Sequence, residues 1–423
     1  MRKIFFFSLF LSAFINLNAQ TDTVPFKRLT LGGYGEIAFS RNFYSDNINR
    51  YSHAEDYSNA PSHGRFDLPH VVFFVGYNFG KGWRLQTEIE FEHGGTEAAV
   101  ELEAEEAGEV ENEIERGGEV VLEQFWIEKT FSKALNLRVG HIIVPVGFTN
   151  MNHLPNEFFT VYRPEGERTV LPCTWHETGV SIWGKVGDWR YEAAALPALS
   201  SEQFSRTGWI NGGSASPYEF KIANSFAAAL RIDNYSVKGL RLGVSGYVGN
   251  SFNNSIQPTA AEKYKKIKGK VMIGSADFHY KNHGIIARGY FDYGHLGDSE
   301  NISVYNKNLP KYSVSPRTNV ASDVLVSGIE AGYNIFSSLK SQNLKSQELY
   351  IFGRYEFYDS MFKTAGNIQK DKWCSRQVYV GGINYSPVKQ VTVKAEYSYR
   401  KFQKPYNNEP SINIAVVYAG MFN

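Results

Sequence analysis

The chain has 423 residues, and its 44 Lys and Arg nearly balance 43 Asp and Glu, leaving a formal net charge of +1. That balance argues against a nucleic-acid binder, which needs a basic face. Thirty Phe, 26 Tyr and 38 Gly are a heavy aromatic and glycine load, and no apolar run past the first twenty residues reaches the length of a spanning helix.

Arg2 and Lys3 precede a largely apolar run from Ile4 to Leu17, and Asn18-Ala19-Gln20 supplies small residues for cleavage after Ala19. Residues 1–19 are therefore expected to be a secretory signal peptide, and 20–28 a short periplasmic segment. No cysteine follows the cleavage point, which argues against a lipoprotein.

From Leu29 onward the chain alternates. Leu31, Gly33, Gly35, Ile37 and Phe39 face one way in the first segment, against Thr30, Tyr34, Glu36 and Ser40. A second segment is expected from about Arg65 to Asn78, then a tight turn at Lys81-Gly82. The third, Trp83 to His93, sets Trp83, Leu85, Thr87, Ile89 and Phe91 against Arg84, Gln86, Glu88, Glu90 and Glu92. Such a period of two is a strand with one apolar and one wet face. Thr96 to Arg116 carries nine Glu and one Arg. It is expected to be a solvated, self-repelling loop, the alternative being a cation-binding or subunit-contacting one. The fourth segment, about Glu119 to Phe131, has no clear phase, since VVLEQFWI is apolar on both faces.

Twelve more strands follow in the same manner, ending at about Ile412 to Phe422. The connections alternate between short turns and long loops, and the strand number is even. That pattern predicts an all-β, sixteen-stranded antiparallel transmembrane barrel over residues 29–422, with both termini periplasmic. Closure also removes edge strands. Ile412, Ile414, Val416, Tyr418 and Phe422 share one face of the last strand, as in a terminal strand read by barrel-insertion machinery.

The longest stretch without periodicity that still needs a packed home is His141 to Gly179. It contains Pro155, Pro164 and Pro172, the apolar anchors Phe158, Phe159, Val161, Tyr162 and Trp175, and a charged tip of Arg163, Glu165, Glu167 and Arg168. Loops this long inside compact folds are usually functional or disordered. Its run P-V-G-F-T-N…H-L-P…F-F-T-V-Y-R-P-E-G-E-R-T…P-C-T-W-H-E-T-G resembles the third-loop region of phosphate-selective porins of the O and P type, found in Bacteroidetes-like outer membranes. The resemblance implies a cell outer-membrane porin, a homotrimer, a long third loop folded into the lumen, and inorganic anions or other small hydrophilic solutes as cargo. The loop's aromatics are expected to dock it on the wall, leaving Arg163 and Arg168 at the narrowest point, with Glu165 and Glu167 pairing with them or turning into the wall.

If apolar faces meet lipid, parity puts Arg84, Arg138, Arg190, Arg231, Arg241, Arg288, Arg354 and Arg400 on the lumenal side. The resemblance implies a ladder guiding anions, since rings of Arg concentrate and select anions. The alternative is a wall of paired charges with little net field, because Glu36, Glu88, Glu90, Glu92, Glu192, Asp233, Asp292, Glu356 and Glu396 share that parity. Lys263, Lys265, Lys266 and Lys268 are expected to form a basic patch at the vestibule. No cofactor or metal is expected: His153, Cys173 and His176 match no zinc spacing. Neither a G-x-S-x-G elbow nor a phosphate loop is present. Cys173 and Cys374 are expected to be unpaired small apolar residues. A plugged structural or adhesive barrel, and a barrel-embedded hydrolase, are the competing function classes.

Overall fold

The computed structural model describes residues 28–93, 98–104, 110–116, 120–215, 221–254, 264–309, 313, 315–339, 344 and 346–422. The expected signal peptide, most of the segment 20–28, and Lys263 lie outside the described residues. The strands are β1 (Leu29–Asn42), β2 (His63–Asp67), β3 (His70–Gly80), β4 (Trp83–Glu92), β5 (Ala98–Ala104), β6 (Val110–Arg116), β7 (Val120–Ser132), β8 (Leu135–Ile143), β9 (His176–Val186) and β10 (Trp189–Pro197). The second half holds β11 (Phe226–Asn234), β12 (Leu240–Asn250), β13 (Lys270–Asn282), β14 (Ile285–Leu296), β15 (Asp323–Asn334), β16 (Glu348–Lys363), β17 (Ser375–Val388), β18 (Val391–Phe402) and β19 (Glu409–Met421).

Seventeen of these strands form one antiparallel sheet that closes on itself through β1 and β19. Because β2 and β3 pair in succession with β1, they share one stave, and the barrel has the sixteen staves that the periodicity predicts. The break between them falls at Leu68-Pro69, where proline supplies no ladder N–H. Short turns lie on one rim. At Lys81-Gly82 both residues take positive φ, 51° and 76°, which matches the twist of a two-residue hairpin.

Two expectations need correction on the long-loop rim. The acidic stretch is not merely a loop: β5 and β6 pair antiparallel apart from the main sheet, from Ala98 opposite Arg116 to Ala104 opposite Val110. The connection from β14 to β15 also contains a helix, α2 (Ser299–Lys307).

The outer face is apolar. Ile37, Leu122, Ile127, Ile182, Leu230, Val244, Ile329, Ile351 and Ile414 are all exposed. Exposed Phe79, Trp83, Trp189, Tyr235, Tyr333, Tyr385 and Phe422 gather toward the short-turn rim. A closed barrel with an apolar band and an aromatic girdle is built for lipid, and for an outer membrane. The opposite parity is buried and rich in charge, including Glu88, Glu128, Arg231, Asp277, Arg354 and Lys394.

The unclear phase of β7 has a physical cause. Glu88 pairs with Gln124 and Ile89 with Leu122, so Glu123 is the extra residue of a β-bulge. Leu122 and Phe125 both face out, and the two residues between them both turn inward.

Ile329→Arg, placing a cation mid-strand on the lipid face, should destabilise the folded barrel by about 2–4 kcal/mol. Urea unfolding from lipid vesicles measures it, and an unchanged midpoint would place Ile329 off the lipid face.

Candidate functional site

Residues 144–175 are held by polar groups from strands all round the barrel. Within the segment, Asn150 ties the two ends together. Its Nδ2 donates to the Val144 carbonyl at 2.7 Å, and its Oδ1 accepts from the Trp175 N–H at 2.5 Å. The Glu167 carboxylate accepts from the backbone N–H groups of Phe148 (2.6 Å) and Thr149 (2.5 Å). Lys394 on β18, almost fully buried, donates to three carbonyls, of Pro155 (2.6 Å), Phe158 (3.1 Å) and Thr160 (2.8 Å). Glu396 accepts from Val161 N–H at 2.8 Å, Glu356 from Glu165 and Gly166 N–H at 3.0 Å, and Arg231 donates to the Gly147 carbonyl at 3.1 Å. A segment with few backbone partners of its own thereby has its carbonyls and N–H groups satisfied by side chains. Its apolar residues Phe148, Phe159, Val170 and Trp175 join a core with Phe204, Trp209, Tyr247, Val326 and Phe352.

The expected constriction residues separate into three kinds. Arg163 is 4 % exposed and is consumed by structure. It donates to the His153 carbonyl (3.3 Å), Thr174 Oγ1 (3.0 Å) and Tyr34 Oη (3.2 Å). Glu167 turns into the segment's own backbone rather than toward a passage. Glu165, on the short helix α1 (Glu165–Val170), meets Arg400 at 2.7 Å and Arg376 at 3.6 Å. Burial alone would raise its carboxyl, but Arg400, Arg376 and the Tyr358 hydroxyl outweigh it and hold the group at about 2. Arg168 alone of the four is exposed. Burial pushes the Cys173 thiol up to about 11, and Cys173 and Cys374 are both free, as expected.

All eight arginines of the expected ladder are present on the inner wall, and all are paired. Glu128 receives Arg84 and Arg138, and Arg138 also reaches Glu192 at 3.4 Å. Arg190 bridges Glu192 and Asp233, while Arg231 and Arg241 share Asp233 and Asp277. Further round, Arg288 and Arg354 share Glu330, Arg354 adds Glu356, and Arg400 takes Glu165 and Glu409. Such a belt stiffens the wall, and its partners cancel most of its field. The paired alternative is therefore the arrangement found.

Arginines outnumber carboxylates elsewhere, toward the long-loop rim. A cavity of about 480 Å³ is lined by Arg50, Arg65, Arg168, Arg376 and Arg400, against Asp46 and Glu165. It shares Tyr44, Arg65, Glu165, Arg168 and Arg400 with a deeper cavity of about 390 Å³, which continues past Tyr162, Arg163 and His70. Among the described residues, Arg65 and Arg168 make no ion pair. Arg376 lies over the rings of Tyr51 (5.4 Å), Trp373 (5.7 Å) and Phe402 (5.2 Å). Sequence reasoning missed Arg50, Arg65 and Arg376, because one sits in a loop and two at strand starts. The aromatic cage around Arg376 draws on three separate stretches and leaves no local signal. A third cavity, about 350 Å³, opens nearer the short-turn rim between β1, β3, β4 and β7, with Thr30, Arg84, Glu88, His153 and Leu154 on its lining. The lysines Lys265, Lys266 and Lys268 line none of these three cavities.

Replacing Lys394 by Met should release the segment. Each buried carbonyl left without a donor costs about 1–3 kcal/mol, so the folded barrel should persist while limited proteolysis cuts within 155–160. Protection equal to wild type would show that Lys394 does not hold the segment.

No family model matches the chain. An uncharacterized protein of Aquifex aeolicus is 26 % identical over 392 residues, covering 90 % of this chain and 78 % of that relative. Among solved structures, an anion-selective porin from Comamonas acidovorans superposes with a TM-score of 0.53 at 8 % identity, covering 93 % of this chain and 99 % of the porin. A loop-deletion form of OmpT, an outer membrane protein of Vibrio cholerae, gives 0.50 at 12 % identity, covering 93 % and 100 %. At these identities the likeness concerns the fold, a porin-type barrel.

Proposed function

We propose that the chain is an outer-membrane porin for small hydrophilic solutes and ions, with a preference for anions. In this reading residues 144–175 cross the lumen, and the path runs through the cavities left beside the segment, lined in good part by β1 to β4, β18 and β19. One observation carries it. In the cavity nearest the long-loop rim five arginines face two carboxylates, and among the described residues Arg65 and Arg168 make no ion pair, whereas the deeper cavity sets five arginines against five carboxylates. Fixed cations at a mouth raise local anion concentration. The likeness of residues 141–179 to phosphate-selective porins, and the anion selectivity of the Comamonas protein of similar fold, support the same direction. Phosphate as cargo and the homotrimer follow from that resemblance, and recognition of the last strand by insertion machinery follows from the face shared by Ile412, Ile414, Val416, Tyr418 and Phe422. The hairpin β5–β6, with its acidic sequence, works against anion collection at the rim.

A second reading, a plugged structural barrel, is favoured by one feature. The cavity lined by Arg163 and the one lined by His153 share no residue, and the layer of Tyr34, His153 and Arg163 stands between them.

Planar bilayers separate the two. The wild type should conduct with a reversal potential on the anion side, and Arg65→Glu with Arg168→Glu should move it toward cations at about 0.1 M salt, where screening acts over about 10 Å. The difference should shrink near about 1 M, where that length is about 3 Å. Equal reversal potentials at low salt would remove these arginines from the selectivity argument, and a wild-type barrel without current would favour the plug.

A further inference from the structure

Three carboxyl and imidazole groups converge beside the cavity nearer the short-turn rim: Glu88 on β4, Glu123 on β7 and His153 in the segment that follows β8. Their ligating atoms all lie within 4.8 Å of one another, and all three residues are buried, at 1 %, 0 % and 7 % exposure. Four polar atoms of these three residues have no hydrogen-bond partner: Glu88 Oε1, both Glu123 oxygens, and His153 Nε2. Buried polar groups are nearly always satisfied, so four orphans at one point need a common partner.

The surroundings prepare the groups for a cation. His153 Nδ1 lies 2.9 Å from the Asn150 carbonyl, an acceptor only, so that nitrogen carries the proton and Nε2 presents its lone pair to the cluster. Glu88 Oε2 is held by the Gln124 side-chain amide, itself fixed by Trp126 Nε1 at 3.0 Å, which aims Oε1 at His153 Nε2, 3.7 Å away. Such partners behind each ligand are the usual support of a metal site. The bulge in β7 turns consecutive residues inward, Gln124 to hold Glu88 and Glu123 to join it. A proton on His153 Nε2 would meet Glu88 Oε1 only across 3.7 Å and would leave both Glu123 oxygens unmet. The neighbouring set His70, Glu90 and Glu92 is less suited, because His70 Nδ1 already bonds Glu90 at 2.6 Å.

We propose that Glu88, Glu123 and His153 bind one divalent transition-metal ion of the zinc type, which pins the segment to the wall. Metal–ligand lengths of about 2.0–2.2 Å need only small side-chain rotations from this spacing. Two carboxylates and one imidazole suit Zn²⁺ and its divalent neighbours. A remaining coordination position would face the lower cavity, which Glu88 and His153 both line.

The test uses the full-length barrel, refolded in detergent after chelator treatment and titrated with Co²⁺ and then Zn²⁺. Elemental analysis after desalting should find one Zn²⁺ per chain, and Co²⁺ should give visible d–d bands that Zn²⁺ abolishes. Glu123→Gln and His153→Gln should each weaken uptake at least tenfold, with His70→Gln unchanged. Wild-type protein that retains no Zn²⁺ and gives no d–d bands overturns the proposal, even if the variants fail to refold. So does unaltered uptake in Glu123→Gln, or loss in His70→Gln alone.

Discussion

Closure governs everything else in this molecule. A sheet edge left open in lipid would strand a row of N–H and C=O groups with no water to meet them. Here Gly32 to Asn42 pair in unbroken register with Met421 to Ser411, so the last strand completes the first. Once the ring is shut, the two-residue period of each strand has only two destinations. One parity must satisfy hydrocarbon and is filled by Ile, Leu, Val and rim aromatics. The other is enclosed, and its charges must find water or each other.

They found each other. From Arg84 through Glu128, Arg138, Glu192, Arg190, Asp233 and Arg231 to Asp277, cation and anion alternate across neighbouring staves, from β4 to β13. Buried charges are expensive unless paired with good geometry, and a stave's neighbours are the nearest groups able to pair. The consequence is electrostatic: a belt in which each guanidinium shares its carboxylates leaves less net field at the inner wall than unpaired arginines would.

The barrel was legible because a strand's period is local. Parity along β4 or β18 can be read from ten residues, and turn spacing counted the staves correctly. What escaped depends on register and on the third dimension. Parity identified Arg138 as inward-facing, but only the pairing of β7 with β8 and the position of β10 bring it to Glu128 and Glu192. The same holds for the unclear phase of VVLEQFWI. A bulge is invisible in a single strand because it is a mismatch between two, and the bulge is what delivers Glu123. His153 looked isolated in sequence because its companions come from β4 and β7, on the far side of two connections. The split between β2 and β3 also shifts the phase, since Phe66 opposite Phe39 and Phe73 opposite Gly33 both face out on opposite parities, a mismatch that only the pairing with β1 reveals.

The segment 144–175 shows how the cost of an irregular backbone is met inside such a wall. Lys394, Glu356, Glu396 and Arg231 spend their charge on its carbonyls and N–H groups, and Glu167 spends its own on Phe148 and Thr149. Arg163 is spent likewise, on His153, Thr174 and Tyr34. These bonds make the layer between the cavities rigid, because widening it by moving Arg163 strips a buried cation of its acceptors. Since the carbonyl that Arg163 holds belongs to His153, any such movement also shifts the imidazole against Glu88 and Glu123. The position of Arg163 and the geometry of that cluster are therefore coupled through the His153 backbone.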